Sequence, residues 1–338
     1  MSGGPVVVAL GAQRIPGLVA LLPRALPDAD LRLCAGEDEA ARAIRNAEIL
    51  IVSGGSGGAG ALVALAPCLR WFHTTSAGVD RVLTPEVLDS PAVLTNSRGC
   101  YGRTLATHAF ALIFALCRRL PLAWAQQAAR RWEAHDADEL GGRTLAVLGF
   151  GGVGREVAAM GRALQMRVVA ADITPPGEEA SHLLDAFFMI AAEGAGTPAG
   201  PGDRARMPAG FLAQADYLVI CAPLTARTRG MIDEPALRAM PPGAFLINIS
   251  RGPIVREEAL VAALRENRIA GAGLDVFEQE PLPAEHPLWT LPNAIITPHM
   301  AWRSPHIAAR LASLIGENFR RYRSGEPLLN IVDKHRGF

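Results

Sequence analysis

One string of glycines, Gly149-Phe150-Gly151-Gly152-Val153-Gly154, constrains this chain more than any other feature. It follows the aliphatic run Thr144-Leu145-Ala146-Val147-Leu148 and opens a helix-like stretch through Glu156, Met160 and Leu164. In a strand-turn-helix unit the first glycine permits the tight turn, the second lets the backbone reach a pyrophosphate, and the third allows close helix packing. The phosphates then sit at the helix N-terminus, where free N–H groups and the helix dipole favour an anion. The string by itself is weak evidence, and its context strengthens it. The next strand, 167–171, runs into Asp172, at the distance expected of a carboxylate that hydrogen-bonds the adenosine ribose hydroxyls. A turn or helix cap is the other reading of Asp172. Its charge would repel a 2′-phosphate, and no Arg or Lys follows within 173–177, so NAD (as NADH) is favoured over NADP.

Around this unit, strand-like and helix-like segments alternate along most of the 338 residues. The first series has strands at Val6–Leu10, 31–34, 47–52, 69–74 and 92–95, with a helix at 17–26. The second has strands at Thr144–Leu148, 168–171, 217–221, 244–249, Gly271–Leu274 and Ala294–Ile296, six in order. Such alternation predicts parallel sheets covered by helices, and the length predicts two domains. Helices at 104–119 and 304–321 flank the second series and are expected to cross between the domains. The Gly-rich segment 53–60 lacks the Lys-Ser/Thr of a phosphate-binding P-loop and reads as a turn. Segment 174–210, with Gly, Pro and Ala repeated through 194–202, breaks the rhythm and reads as a surface loop.

Composition narrows the class. Lys+Arg and Asp+Glu are equal at 33 each, so no overall field draws the chain to nucleic acid or an anionic membrane. Cys34, Cys68, Cys100, Cys117 and Cys221 form no CxxC pair and no metal-ligand cluster, which reads as reduced thiols in a cytoplasmic protein. The start of the chain lacks the pattern of a secretory signal, and the longest apolar run, 105–117, is too short to span a bilayer.

Three successive strands of the second series run into an arginine, a glutamate and a histidine. Strand 244–249 ends in Ser250-Arg251-Gly252; Gly271–Leu274 leads into Asp275-Val276-Phe277-Glu278-Gln279-Glu280-Pro281; Ala294–Ile296 leads into Thr297-Pro298-His299. Open α/β sheets bind ligands at these carboxyl ends. A guanidinium there can hold a carboxylate through two parallel hydrogen bonds, and a histidine beside a carboxylate can move a proton near neutral pH. Each residue alone reads equally as a surface arginine, an exposed acid or a turn residue; the ordered set points to hydride chemistry at a carbonyl.

These segments, together with Ser76-Ala77-Gly78-Val79-Asp80 and Asn330-Ile331-Val332-Asp333, are where the chain resembles the D-isomer-specific 2-hydroxyacid dehydrogenases. That group includes D-lactate, glyoxylate/hydroxypyruvate and phosphoglycerate dehydrogenases. The resemblance implies an α/β fold of two doubly wound parallel-sheet domains. A Rossmann cofactor domain, 105–298, is inserted into a flavodoxin-like substrate domain made of 1–104 and 299–338. It implies that Arg251 binds the substrate carboxylate, that His299 is the general acid/base and that Glu280 orients it. Ser76, Ala77 and Gly78 would offer backbone N–H groups to the carboxylate, and Trp302 would close over the pocket; apart from the resemblance, Tyr101, Trp302 and Leu282 are candidates to line the substrate side-chain pocket, which suits a small or moderately apolar group. Gly152, Val153, Asp172, Ala222, Pro223, Ile249, Ser250 and Asp275 would contact the cofactor beside the turn glycines Gly149, Gly151 and Gly154. A homodimer joined through the cofactor domains is also implied, with domain closure excluding water.

Three positions depart from the family pattern. Thr107 stands for a glutamate before His108, Arg98 replaces a proline, and Arg256 replaces an acidic residue at a helix start, which is expected to leave that helix less well capped. The long segment after Asp172 is expected to shield the adenosine end of the site, or else to have no role. Two other functions use the same scaffold: a NAD-sensing binding protein or corepressor, and a dehydrogenase of another small oxyanion.

Overall fold

The computed structural model describes residues 4–54, 58–191, 206–208 and 210–338. It packs as two compact units, Met1–Tyr101 with Arg303–Phe338, and Gly102–Trp302. The unit that contains the termini begins β1 (Val6–Leu10), α1 (Leu18–Ala25), β2 (Asp30–Cys34), α2 (Glu37–Ala43), β3 (Ile49–Val52), α3 (Ala59–Ala64), β4 (Trp71–Thr74), α4 (Pro85–Asp89) and β5 (Val93–Thr95). All neighbours are parallel, in the order β2-β1-β3-β4-β5. Strands covered on both faces need apolar side chains at every position, and β3, Ile-Leu-Ile-Val, is buried throughout. The edge strand β2 carries Asp30 and Arg32 instead, which leaves it exposed but poorly suited to pair with another chain.

The inserted unit runs through α5 (Gly102–Cys117), α6 (Leu120–Ala128), β6 (Thr144–Leu148), α7 (Gly152–Ala163), β7 (Arg167–Asp172), α8 (Glu178–Ser181), β8 (Ala186–Met189), β9 (Tyr217–Ile220), α9 (Glu234–Ala239), β10 (Phe245–Asn248), α10 (Glu257–Arg265), β11 (Gly271–Leu274) and β12 (Ala294–Ile296). Its parallel sheet has the order β12-β11-β10-β9-β6-β7-β8, the doubly wound arrangement that reverses direction between β6 and β9. Alternate residues of β6 feed separate cores: Ala146 and Leu148 on one face, Leu145 and Val147 on the other. The chain then returns to the first unit with α11 (Ile307–Ser324), which packs along α1 through a stripe including Ile307, Leu311, Ile315 and Phe319. Gly325, at φ 70°, ends it in the left-handed conformation that glycine adopts without strain.

The α/β class and both sheet topologies agree with the sequence reading, and several local expectations need correction. Segment 174–210 is not a loop throughout. It contains α8 and a seventh strand, β8, where six strands were expected. Apolar Ala186-Phe187-Phe188-Met189-Ile190 was the signal; β8 pairs with β7, Ile190 is buried, and Phe188 packs against Phe211 at 5.6 Å. The Gly/Pro-rich stretch 194–202, and with it the proposed shielding role, lies outside the described residues, as do 55–57 of the Gly-rich turn and 1–3 at the start. Helix α5 begins at Gly102 and belongs wholly to the inserted unit, while α11 belongs wholly to the other. In the chain the two compact units meet at Tyr101/Gly102 and Trp302/Arg303. Among the described residues no single helix is long and apolar enough to cross a membrane.

Candidate active site

The glycine string occupies the point where the strand order reverses. Gly149 has φ +93°, and a Cβ there would lie 2.5 Å from the Ala222 nitrogen at the end of β9, so only glycine fits between the two strand ends. A Cβ on Gly154 would meet the Gly149 carbonyl oxygen at 2.1 Å, which is how the third glycine brings α7 onto β6. Gly151 and Gly152, by contrast, have no heavy atom of the described residues within 4 Å of where a Cβ would stand. The first helical hydrogen bond of α7 runs from the Arg155 N–H to the Gly151 carbonyl, and the N–H groups of 152–154 have no acceptor among the described residues. This is an anion cradle with room above it.

Asp172, at the end of β7, turns its carboxylate toward this cradle. Oδ2 accepts from the Phe150 N–H at 2.6 Å and Oδ1 from the Ile173 N–H at 2.6 Å. Among the basic residues of the helix that follows the cradle, Arg155 is committed to Glu179 at 2.7 Å. Ala222 is buried, and its carbonyl accepts the Ser250 hydroxyl, which ties the ends of β9 and β10 together. The side chain of Ile249 is buried in the core, so any ligand contact there is through backbone. Pro223 uses its carbonyl to accept the Thr228 hydroxyl at 2.7 Å.

Arg251, Glu280 and His299 follow the ends of β10, β11 and β12, three adjacent strands. His299 Nδ1 lies 2.7 Å from Glu280 Oε2, with both side chains half-buried. A carboxylate only accepts, so Nδ1 carries the proton and Nε2 is left to exchange one with a ligand. The second Glu280 oxygen, Oε1, accepts from the Phe277 N–H at 3.2 Å. Arg251 leaves β10 through a turn built on Asn248, whose buried side chain donates to the Arg251 carbonyl at 3.0 Å and accepts from the Ser250 N–H at 3.1 Å. At Gly252 a Cβ would lie 1.9 Å from the Phe277 carbonyl carbon, so glycine alone lets the arginine turn pass against the segment that carries Glu280.

Asp275 is almost wholly buried and organises the histidine turn. Its Oδ1 accepts from the Thr297 hydroxyl at 2.6 Å and the Met300 N–H at 2.9 Å, its Oδ2 from the Ala301 N–H at 2.9 Å, and its own carbonyl from the His299 N–H at 2.8 Å. These bonds hold His299 at φ +49°, a conformation a β-carbon disfavours. His108 of α5 joins from behind, Nε2 to Thr297 Oγ1 at 2.9 Å; because that hydroxyl donates to Asp275, the imidazole is the donor. Asn248, Gly252, Thr297 and His108 were given no role from sequence. The detectable signal was a polar residue closing an otherwise apolar strand for Asn248, and none for the tertiary contact of His108. Trp302 is the last residue of this unit.

In the other unit, Ser76, Ala77 and Gly78 follow β4. The Ser76 carbonyl accepts from the Ser97 N–H at 3.0 Å and the Ala77 carbonyl from the Asn96 side chain at 2.8 Å, while the Ala77 and Gly78 N–H groups have no acceptor among the described residues. Tyr101 is buried, with its hydroxyl donating to the Thr75 carbonyl; burial holds that phenol well above its ordinary range. It thus braces this loop from within.

Comparison with known proteins places this geometry. The sequence profile described as "D-isomer specific 2-hydroxyacid dehydrogenase, NAD binding domain" matches residues 110–191 and 201–301. A glyoxylate reductase of Korarchaeum cryptofilum is 34% identical over 275 residues, covering 80% of this chain and 77% of that protein. The solved D-isomer specific 2-hydroxyacid dehydrogenase of Xanthobacter autotrophicus, in complex with NADPH and MES, is 30% identical, covers 100% of both chains and superposes with a TM-score of 0.82. The NADPH-dependent glyoxylate/hydroxypyruvate reductase of Sinorhizobium meliloti, in complex with NADP and sulfate, is 26% identical with a TM-score of 0.81, covering 99% of this chain and 100% of that one.

Proposed function

The chain belongs to the D-isomer specific 2-hydroxyacid dehydrogenase family and is an NAD(P)-dependent 2-hydroxyacid dehydrogenase; we propose that it uses NADH to reduce a small 2-oxo acid, glyoxylate or a close relative, to the D-2-hydroxy acid. The observation that carries this reading is the 2.7 Å contact between His299 and Glu280 at the ends of neighbouring strands, with Arg251 on the next strand end. Bound NADH supplies the hydride. Arg251 holds the substrate carboxylate. His299 Nε2 donates its proton to the carbonyl oxygen as charge builds there, and Glu280 stabilises the imidazolium before transfer and keeps Nδ1 protonated after it. Asp275 acts through the turn it holds.

Preference for NADH rests on Asp172, since its carboxylate stands beside the cradle and Arg155 is already paired with Glu179. The solved relatives that hold NADPH make this a point to measure. With wild type, kcat/KM for NADH is expected to exceed that for NADPH at least tenfold, and Asp172→Ser is expected to narrow the gap; equal use of both by wild type refutes the assignment. For the activity itself, the loss of NADH absorbance is followed with glyoxylate, hydroxypyruvate, pyruvate and phenylpyruvate. His299→Ala is expected to lower kcat on the order of a hundredfold or more. NADH binding without turnover of any of these acids would overturn the reading.

We further infer a cytoplasmic homodimer joined through the inserted unit. Its support is a set of exposed aromatic side chains on one stretch of that unit, Phe114 and Trp124 on α5 and α6 and the fully exposed Trp132 beyond them, together with five unbonded cysteines.

A further inference from the structure

The segment that carries Glu280 is clipped to α10 at both of its ends. At the near end Glu257 and Glu278 bond reciprocally: the Glu257 N–H donates to Glu278 Oε1 at 3.3 Å, and the Glu278 N–H donates to Glu257 Oε2 at 3.2 Å. Glu278 thereby caps the helix start that Arg256 leaves without a side-chain cap, correcting the expectation of a poorly capped helix. At the far end His286 Nε2 lies 3.1 Å from Glu257 Oε1. The Leu288 N–H donates to His286 Nδ1 at 3.3 Å, so Nδ1 is the bare nitrogen and Nε2 carries the proton toward Glu257. One carboxylate, Glu257, therefore grips residues 278 and 286, with Glu280 between them. It is mostly withdrawn from water, and burial pushes its carboxyl above the ordinary range.

From this geometry we infer that Glu257 and His286 are positioning residues for the reaction: they hold the 278–286 segment so that Glu280 meets His299 Nδ1. Neither touches the reacting atoms. The inference rests on the assignment of His299 as acid and Glu280 as its partner. A kinetic consequence separates it from a merely structural role. Glu280 fixes the His299 ring at 2.7 Å and acts on the proton step alone, so a misplaced Glu280 lowers kcat while the glyoxylate KM and NADH binding stay as they are.

The test is kcat and KM for glyoxylate, with NADH saturating, for wild type, Glu280→Gln, His286→Asn and His286→Gln. Asparagine can still accept from the Leu288 N–H but cannot reach Glu257, whereas glutamine places an amide N–H near the position of the lost Nε2. His286→Asn is expected to lower kcat about tenfold with KM for glyoxylate within about twofold, the pattern of Glu280→Gln. NADH affinity by fluorescence titration should stay within about twofold, and His286→Gln should recover most of the loss. A fall that appears in KM or NADH affinity as much as in kcat assigns the pair a structural role only and overturns the inference, as does an unchanged rate. If His286→Asn does not fold, Glu257→Gln is read by the same two criteria. If Glu280→Gln itself leaves kcat in place, the assignment of Glu280 fails first and the clip falls with it.

Discussion

At the residue scale, His299 shows function set against backbone preference. Its φ of +49° lies where an L side chain costs roughly 1 kcal/mol or more, and the Asp275 carbonyl and carboxylate supply the bonds that hold it there. Two inactive variants isolate that cost: His299→Gly is expected to be more stable to urea than His299→Ala by about 1 kcal/mol, because glycine accepts the conformation without strain. Equal stability would mean the turn relaxes freely. Gly149 makes the opposite point. There the chain has a residue that suits the left-handed region, and the close approach to Ala222 leaves no volume for even a methyl group. Gly149→Ala is therefore expected to cost 2 kcal/mol or more, roughly, and to weaken NADH binding measurably by titration, since the two strand ends must part.

At the element scale, β4 and β5 are joined by a buried polar chain with a definite direction. The Trp71 indole donates to Thr95 Oγ1 at 2.8 Å, and the Ser97 hydroxyl donates to the Thr74 carbonyl at 3.1 Å. His73 bridges them, Nδ1 to Thr95 at 2.8 Å and Nε2 to Ser97 at 3.1 Å. With Trp71 donating at one end, the Thr95 hydroxyl is free to donate to Nδ1, and Nε2–H donates to Ser97; a neutral imidazole satisfies every group. Burial drives the His73 pKa down to about 3. The sign follows: below about pH 6.5 the unfolded chain takes up a proton that the folded one refuses, so stability present at neutral pH is lost as pH falls from about 6.5 toward about 3. By pH 5 the loss from this residue is roughly 2 kcal/mol. Urea unfolding at pH 7.5 and pH 5 should show it, and His73→Gln should flatten the difference. Glu317 and Glu326, whose Arg320 pairing lowers both carboxyls from about 4.5 to about 2, give up stability only as pH falls below about 4.5, outside the pH 7.5 to 5 comparison.

At the scale of the whole molecule, the aromatic stretch of the inserted unit asks for a partner. Trp132 is fully exposed, in a run from 127 to 134 in which every residue is exposed. Light scattering is expected to give twice the chain mass, and Trp132→Ala or Trp124→Ala to shift the equilibrium toward monomer by at least tenfold. A monomeric wild type at micromolar concentration would leave these side chains without that explanation.

Much of this protein was legible in its sequence because the signals are local. Strand periodicity is a property of adjacent residues, and so is the glycine string, whose steric demands act over a few bonds. The ordered strand ends bearing Arg251, Glu280 and His299 follow from the same periodicity, since a parallel sheet puts every carboxyl end on one edge. Where this reading fell short, a distant residue decided. β8 emerges from a Gly/Pro-rich background because β7 and Phe211 cover its apolar face. Glu278 became a helix cap in place of Arg256. His108, 189 residues from Thr297, entered the histidine turn only through packing of α5. The chain by itself determined which chemistry its strand ends present; the tertiary structure decided the state of each group, because hydrogen-bond partners and burial come from residues far apart in sequence.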